Sequence, residues 1–125
     1  MSQKQKDYLI INRAKWRTGQ DGETETGKGD TQLLNKEGYM CCLGFRCQQM
    51  GVPRKLLLEE GTPGCIRGWD IPDLIDDDRN NTEFSQTAME LNDAQDMSRI
   101  TRERKIKDHF KTIGVTVEFI GKYEN

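Results

Sequence analysis

The sequence predicts an α+β fold, a small antiparallel sheet built from a hairpin and a C-terminal strand and packed with three to four helices. Three observations carry this expectation. Val115-Thr116-Val117-Glu118-Phe119-Ile120 alternates with period two and is rich in β-branched residues, as a half-buried strand requires. Ile106, Phe110 and Ile113 recur at helical spacing just before it. Thr31–Asn35 and Tyr39–Leu43 flank Lys36-Glu37-Gly38, a short polar connection ending in the residue that takes positive φ freely.

The elements follow in chain order. Lys4 to Arg17 is expected to be a first helix, with Tyr8 and Ile11 on one side and Ile10 and Ala14 beside them. Trp16 falls away from that group. Residues 18–30 hold four glycines and no apolar residue, which predicts a mobile loop. The hairpin then runs into a helix from Leu43 to Met50, stopped by Gly51 with Pro53 beyond. Arg54 to Glu60 suits a short helix, and the stretch to 81 is otherwise irregular, with an acidic run at Asp70, Asp73, Asp76, Asp77 and Asp78. Thr82 is placed to cap a helix carrying Phe84, Ala88 and Leu91 on one face. A last helix starts near Ser98 or Thr101 and ends at Gly114.

At 125 residues there is room for one domain, 1–125, and no internal repeat suggests a second. The apolar fraction is 34% and the charged fraction 32%, which predicts a thin core under a heavily solvated surface. A net charge of −2 gives no global attraction to nucleic acid or membrane, so any such contact must come from a local patch. No run approaches the roughly 20 apolar residues of a spanning helix. The first residues lack the apolar stretch of a signal peptide, and three of the four cysteines crowd into seven positions. Free thiols and a cytosolic setting are the expectation.

Each candidate chemistry has a plainer competitor. Gly22 to Gly29 approaches a phosphate-binding loop, but Gly29 stands where a magnesium-holding hydroxyl belongs, and Glu23 and Glu25 would repel phosphate. Chance composition accounts for it. Cys42 and Cys47 have zinc-like spacing, with Cys65 and His109 as distant partners, yet no second pair exists and no metal or other cofactor is expected. Cys41 or Cys42, at a strand-to-helix junction, is a candidate nucleophile with His109, the sole histidine, as its base. The ordinary role of such thiols is that of small buried hydrophobes. Enzymatic activity is therefore the weaker expectation. Asn92-Asp93 suits a cap or turn, each side chain satisfying nearby backbone N–H groups.

Charge patterning gives the preferred binding residues. Arg99, Arg102, Arg104, Lys107 and Lys111 lie on the last helix, with Arg104, Lys107 and Lys111 in one stripe opposite Ile106, Phe110 and Ile113. Such a stripe suits the phosphates of a small ligand or, less readily, of nucleic acid. Its plain role is to keep the helix solvated.

Gly38-Tyr-Met-Cys-Cys-Leu-Gly-Phe-Arg-Cys47, with Trp16-Arg-Thr-Gly19 before it and Glu90-Leu-Asn-Asp93 after it, resembles a family of small uncharacterised proteins of tailed phages and prophages. The terminal segment, from Arg102-Glu103-Arg104 through Phe110 and Gly114 to Val117–Ile120, is also similar. Residues 20–30 and 52–81 are not covered, and Gln20-Asp-Gly-Glu departs from the aromatic and Q-G that usually follow the early glycine. The resemblance implies a phage origin and no particular activity. It leads to the expectation of a phage accessory protein that acts by binding in the host cytoplasm, countering host defence or redirecting a host protein. Its partner would be a host protein or a phosphate-bearing small ligand, with no membrane involved. Sequestration of a nucleotide or similar ligand, and cysteine-dependent catalysis, are the alternatives.

Overall fold

Tyr8–Asn12 is a strand, β1, and not the middle of a helix. It pairs in parallel with Thr116–Ile120, β2, in the register Tyr8↔Thr116 to Asn12↔Ile120. The structure is a computed structural model that describes residues 7–18, 30–95 and 97–123. Between the strands lie helices α1 (Cys42–Gln49), α2 (Arg54–Leu57), α3 (Glu83–Asp93) and α4 (Arg99–Lys111), with single 3₁₀ turns at Arg13–Lys15 and Pro63–Cys65.

The expected antiparallel sheet is thus replaced by a parallel two-stranded one. The first helix expected at Lys4–Arg17, of which Lys4–Lys6 lie outside the described residues, is replaced over the rest by a strand and a 3₁₀ turn, because Tyr8-Leu9-Ile10-Ile11 suits a strand as well as a helix face and tertiary pairing decides. Leu9 and Ile11 point into the core and Tyr8 and Ile10 out of it, the period-two pattern of a strand. Val117 and Phe119 match them on β2. Asn12 then ends β1 by accepting the Ala14 N–H at 3.0 Å.

The hairpin correction is of a different kind, because its turn is present and its ladder is not. Asn35 N–H donates to Tyr39 O at 2.9 Å, Cys41 N–H to Gln32 O at 3.1 Å, and Gly38 sits at φ +93°. The Asn35 side chain, however, accepts the N–H groups of Glu37 and Tyr39, each at 3.0 Å. The two arms then turn to other partners. Met40 bridges Trp16 and Leu34 bridges Leu58, both in parallel.

The helical half was legible. Gly51 ends the α1 turn at φ +98°. Thr82 Oγ1 accepts Ser85 N–H at 3.1 Å and Ser98 Oγ accepts Thr101 N–H at 3.2 Å, capping α3 and α4. α1 packs on β1 and α3, α3 on α4, and α4 on β2. The core between them holds Leu9, Ile11, Trp16, Leu43, Ala88, Ile106, Phe110, Val117 and Phe119. One glycine permits the closest approach in this packing. A Cβ on Gly44 would lie 1.9 Å from the Leu33 carbonyl oxygen, so only glycine lets α1 seat there.

The acidic run does not meet the basic helix. Asp70 pairs with Arg79 at 3.3 Å and Asp73 with Arg46 at 3.8 Å. Asp76 Oδ1 accepts the N–H groups of Asp78 and Asn80, each at 2.9 Å, and so shapes its own turn. Arg79 ties the loop by donating to Trp69 O and Ile66 O. The mobile-loop expectation for 18–30 falls almost wholly on residues 19–29, outside the described residues.

Candidate functional site

The segments quoted above, around Trp16, around Cys41–Gly44 and around Asn92, meet at one buried side chain. Asn92 Oδ1 accepts from Trp16 Nε1 at 2.7 Å and from Cys42 N at 3.0 Å. Its Nδ2 donates to Arg17 O at 3.0 Å and to Asp93 Oδ1 at 3.1 Å. Cys41, the residue before α1, offers no capping side chain. Asn92 supplies that cap from another helix, 50 residues on. It satisfies distant groups, whereas the sequence pointed to neighbouring ones. These segments build the core of the fold and not an exposed reactive centre.

The cysteines belong to the same core. Burial pushes the Cys41 thiol up to about 11, Cys47 up to about 12, and Cys42 well above its ordinary range. Cys41 and Cys42 do start a helix, and backbone N–H groups favour the Cys41 thiolate, but the loss of solvation outweighs that. Cys42 Sγ donates to Ala88 O at 3.7 Å. His109 is elsewhere, between α3 and α4, its Nε2 at 2.9 Å from Phe84 O and its ring stacked on Phe84 at 4.2 Å. No hydrogen bond joins His109 to Cys41 or Cys42. The structure therefore assembles no thiolate–imidazole pair among the described residues. Cys65 is exposed, and no group of three metal-ligating side chains occurs among the described residues.

The predicted basic residues divide. Arg102 turns inward, donating to the carbonyls of Leu91, Asn92 and Ala94 at 2.7, 2.8 and 2.7 Å. It satisfies the C-terminal carbonyls of α3 and fixes α4 against it. A helical-wheel reading of charge cannot see this, because an arginine and a leucine fill an inward position equally well in projection. Arg99 lies over the Tyr123 ring at 4.1 Å. Arg104, Lys107 and Lys111 are exposed on the outer face of α4. Beside Arg99, Glu103 takes a bidentate pair from Arg13 at 2.7 and 2.8 Å and the hydroxyl hydrogen of Tyr123. Burial alone would raise the Glu103 carboxyl, but these donors hold it below its ordinary value.

A cleft lies along the edge of β1 that faces away from β2. Of about 740 Å³, it runs between β1, the Gly38–Met40 turn and the C-terminal half of α1, ending at Arg54. Leu9, Ile10, Met40 and Phe45 give it apolar walls, and Lys15 and Arg54 are its cations. A hollow of about 260 Å³ adjoins it, sharing Gly38 and Arg54 and adding Lys36, Lys55 and Leu58. Among the described residues no aspartate or glutamate lines either one. In a chain with 21 acidic against 19 basic residues, that local excess is a real asymmetry.

Comparison of this chain with protein-family models, with curated proteins and with solved structures finds no match. The cleft residues Ile10, Met40 and Arg54 were missed as a site in the sequence because they come from separate segments, and Lys15 was counted only among the N-terminal basic residues, beside Lys4, Lys6, Arg13 and Arg17. The only signal available was the pair of exposed apolar residues, Tyr8 and Ile10, which a strand assignment would have placed on its outward face. No described helix is long and apolar enough to cross a membrane.

Proposed function

We propose that this protein acts by binding another protein through the cleft beside β1. The observation that carries the reading is the cleft itself, an apolar groove along a strand edge, with Lys15, Arg54, Lys36 and Lys55 beside it and no carboxylate lining it among the described residues. An exposed strand edge beside apolar walls is a recurrent docking site for an extended segment of another protein. The buried, high-pKa thiols and the engaged His109 give cysteine catalysis no comparable support. The resemblance of the Gly38–Cys47 and Glu90–Asp93 segments to small tailed-phage proteins supports placing this activity in an infected bacterium. There the protein would serve as an accessory factor in the host cytoplasm, its partner a host protein and its effect the blocking of a defence or the redirection of that partner.

Affinity capture from bacterial cells, run in parallel with the wild type and Arg54→Glu, tests the reading. A host protein held by the wild type and lost from a folded Arg54→Glu variant supports it. A partner held equally by both, or a tightly bound nucleotide as the sole companion in native mass spectrometry, overturns it. The exposed α4 cations supply the control: Arg104→Glu with Lys107→Glu should leave capture unchanged.

A further inference from the structure

We infer that the cleft takes an extended acidic peptide segment of its partner, which adds as a strand to the free edge of β1. The inference rests on the binding reading above and names what fills the cleft.

The free edge follows from the register. Thr116 N–H donates to Asp7 O at 2.8 Å, and Tyr8 pairs with Thr116. In a parallel ladder this turns the backbone groups of Asp7, Leu9 and Ile11 toward β2. The backbone groups of Tyr8, Ile10 and Asn12 then face the opposite side, into the cleft. Gln49 Nε2 donates to Tyr8 O at 2.5 Å and closes one end. Past the 3₁₀ turn, Met40 takes the same side of the chain, its N–H donating to Lys15 O at 2.9 Å and its O accepting from Arg17 N–H at 2.8 Å. Between those two closures the N–H and C=O of Ile10 find no partner among the described residues. A short strand edge is therefore left open within a groove of about 740 Å³.

The chemistry of the edge selects its occupant. It presents a donor and an acceptor side by side, and an extended peptide offers the complement of both. A phosphodiester chain offers acceptors only and would leave the Ile10 carbonyl unsatisfied. Alternate side chains of an added strand would face the apolar wall of Met40 and Phe45. The charges around the rim then set the sign. Lys15, with its Nζ 5.4 Å from the Tyr39 ring centroid, and Lys36, Arg54 and Lys55 form no ion pair among the described residues. Aspartate or glutamate in the incoming segment would meet them.

The test uses a displayed library of random 12-residue peptides selected on the full chain, with binding of the winners measured by fluorescence anisotropy. Ile10→Pro is the decisive variant. Its ring replaces the N–H that faces the cleft, while the Leu9 and Ile11 bonds to β2 remain, and proline is tolerated on a strand edge. Ile10→Ala keeps the N–H and controls for the lost side chain. The expected result is a set of winners rich in acidic residues alternating with apolar ones. They should bind Ile10→Ala within about threefold of wild type, and Ile10→Pro and Arg54→Glu at least tenfold more weakly. N-methylation of alternate amides in one parity should abolish binding and in the other spare it. Winners without acidic enrichment, equal binding to Ile10→Pro, no winners at all, or displacement by a single-stranded oligonucleotide of equal charge would overturn the inference. A host protein lost from Arg54→Glu but retained by Ile10→Pro would overturn strand addition while leaving the binding reading intact.

Discussion

Replacing Asn92 by alanine removes one buried side chain and strands the groups it serves. The Trp16 indole N–H loses its acceptor at 2.7 Å, the Cys42 N–H loses its cap at 3.0 Å, and the Arg17 carbonyl loses its donor at 3.0 Å. Trp16, Arg17, Cys42 and Asn92 are all essentially inaccessible, so water does not readily replace the missing partners. An orphaned buried donor or acceptor costs about 1–3 kcal/mol, and neighbouring losses do not simply add. Asn92→Ala should therefore destabilise the fold by about 3–5 kcal/mol, a large part of the ~5–15 kcal/mol typical of a domain. Urea denaturation followed by circular dichroism measures it, as a lower midpoint at unchanged slope. A double-mutant cycle with Trp16→Phe isolates the central bond and should return a coupling of about 1 kcal/mol or more. A loss below about 1 kcal/mol for Asn92→Ala, or no coupling to Trp16, would refute the view that this amide joins the three segments.

Gly44→Ala should cost about 3 kcal/mol or more, because the new methyl meets backbone at 1.9 Å and not a side chain that can swing away; thermal melting checks it. Of the four thiols, only exposed Cys65 should react quickly with Ellman's reagent at pH 8, the other three following on denaturation; fast reaction at Cys41 or Cys42 would reopen the catalytic reading. The same raised thiols set a sign for alkaline pH. Below about 9 both states keep their protons, and as pH climbs toward 11–12 the unfolded chain alone loses them, so stability should fall over that interval in urea titrations. Glu103→Gln should cost about 1 kcal/mol at pH 7; because the Glu103 carboxyl is held low, the wild type's advantage should be present at neutral pH and fade as acid protonates it.

What could be read from the sequence was what local chemistry decides. Thr82 and Ser98 cap their helices because a hydroxyl beside the first turn has few better uses, and Gly51 and Gly114 end theirs at positive φ. Val117 and Phe119 alternate inward because β2 has one wet face. What could not be read was decided by partners far along the chain. Tyr8–Asn12 is a strand because Thr116–Ile120 lies beside it, 108 residues away in register. The Thr31–Leu43 arms carry hairpin residues, yet Trp16 and Leu58 take the pairing. Arg102 reads as surface charge until the carbonyls at the end of α3 are placed around it.

The same distinction bears on function. Trp16, Cys41, Cys42, Gly44 and Asn92 are residues the core needs, so their recurrence in another chain would report a shared fold and say little of a shared partner. Selection for a partner would instead act on Ile10, Lys15 and Arg54, which line the cleft and are exposed. A parallel sheet ordinarily has both faces covered. Here Tyr8 and Ile10 remain 43% and 46% exposed, and the β1 edge facing away from β2 runs beside them. A strand supplied by a partner would cover that edge, shield Ile10 and pair backbone groups that find no partner among the described residues.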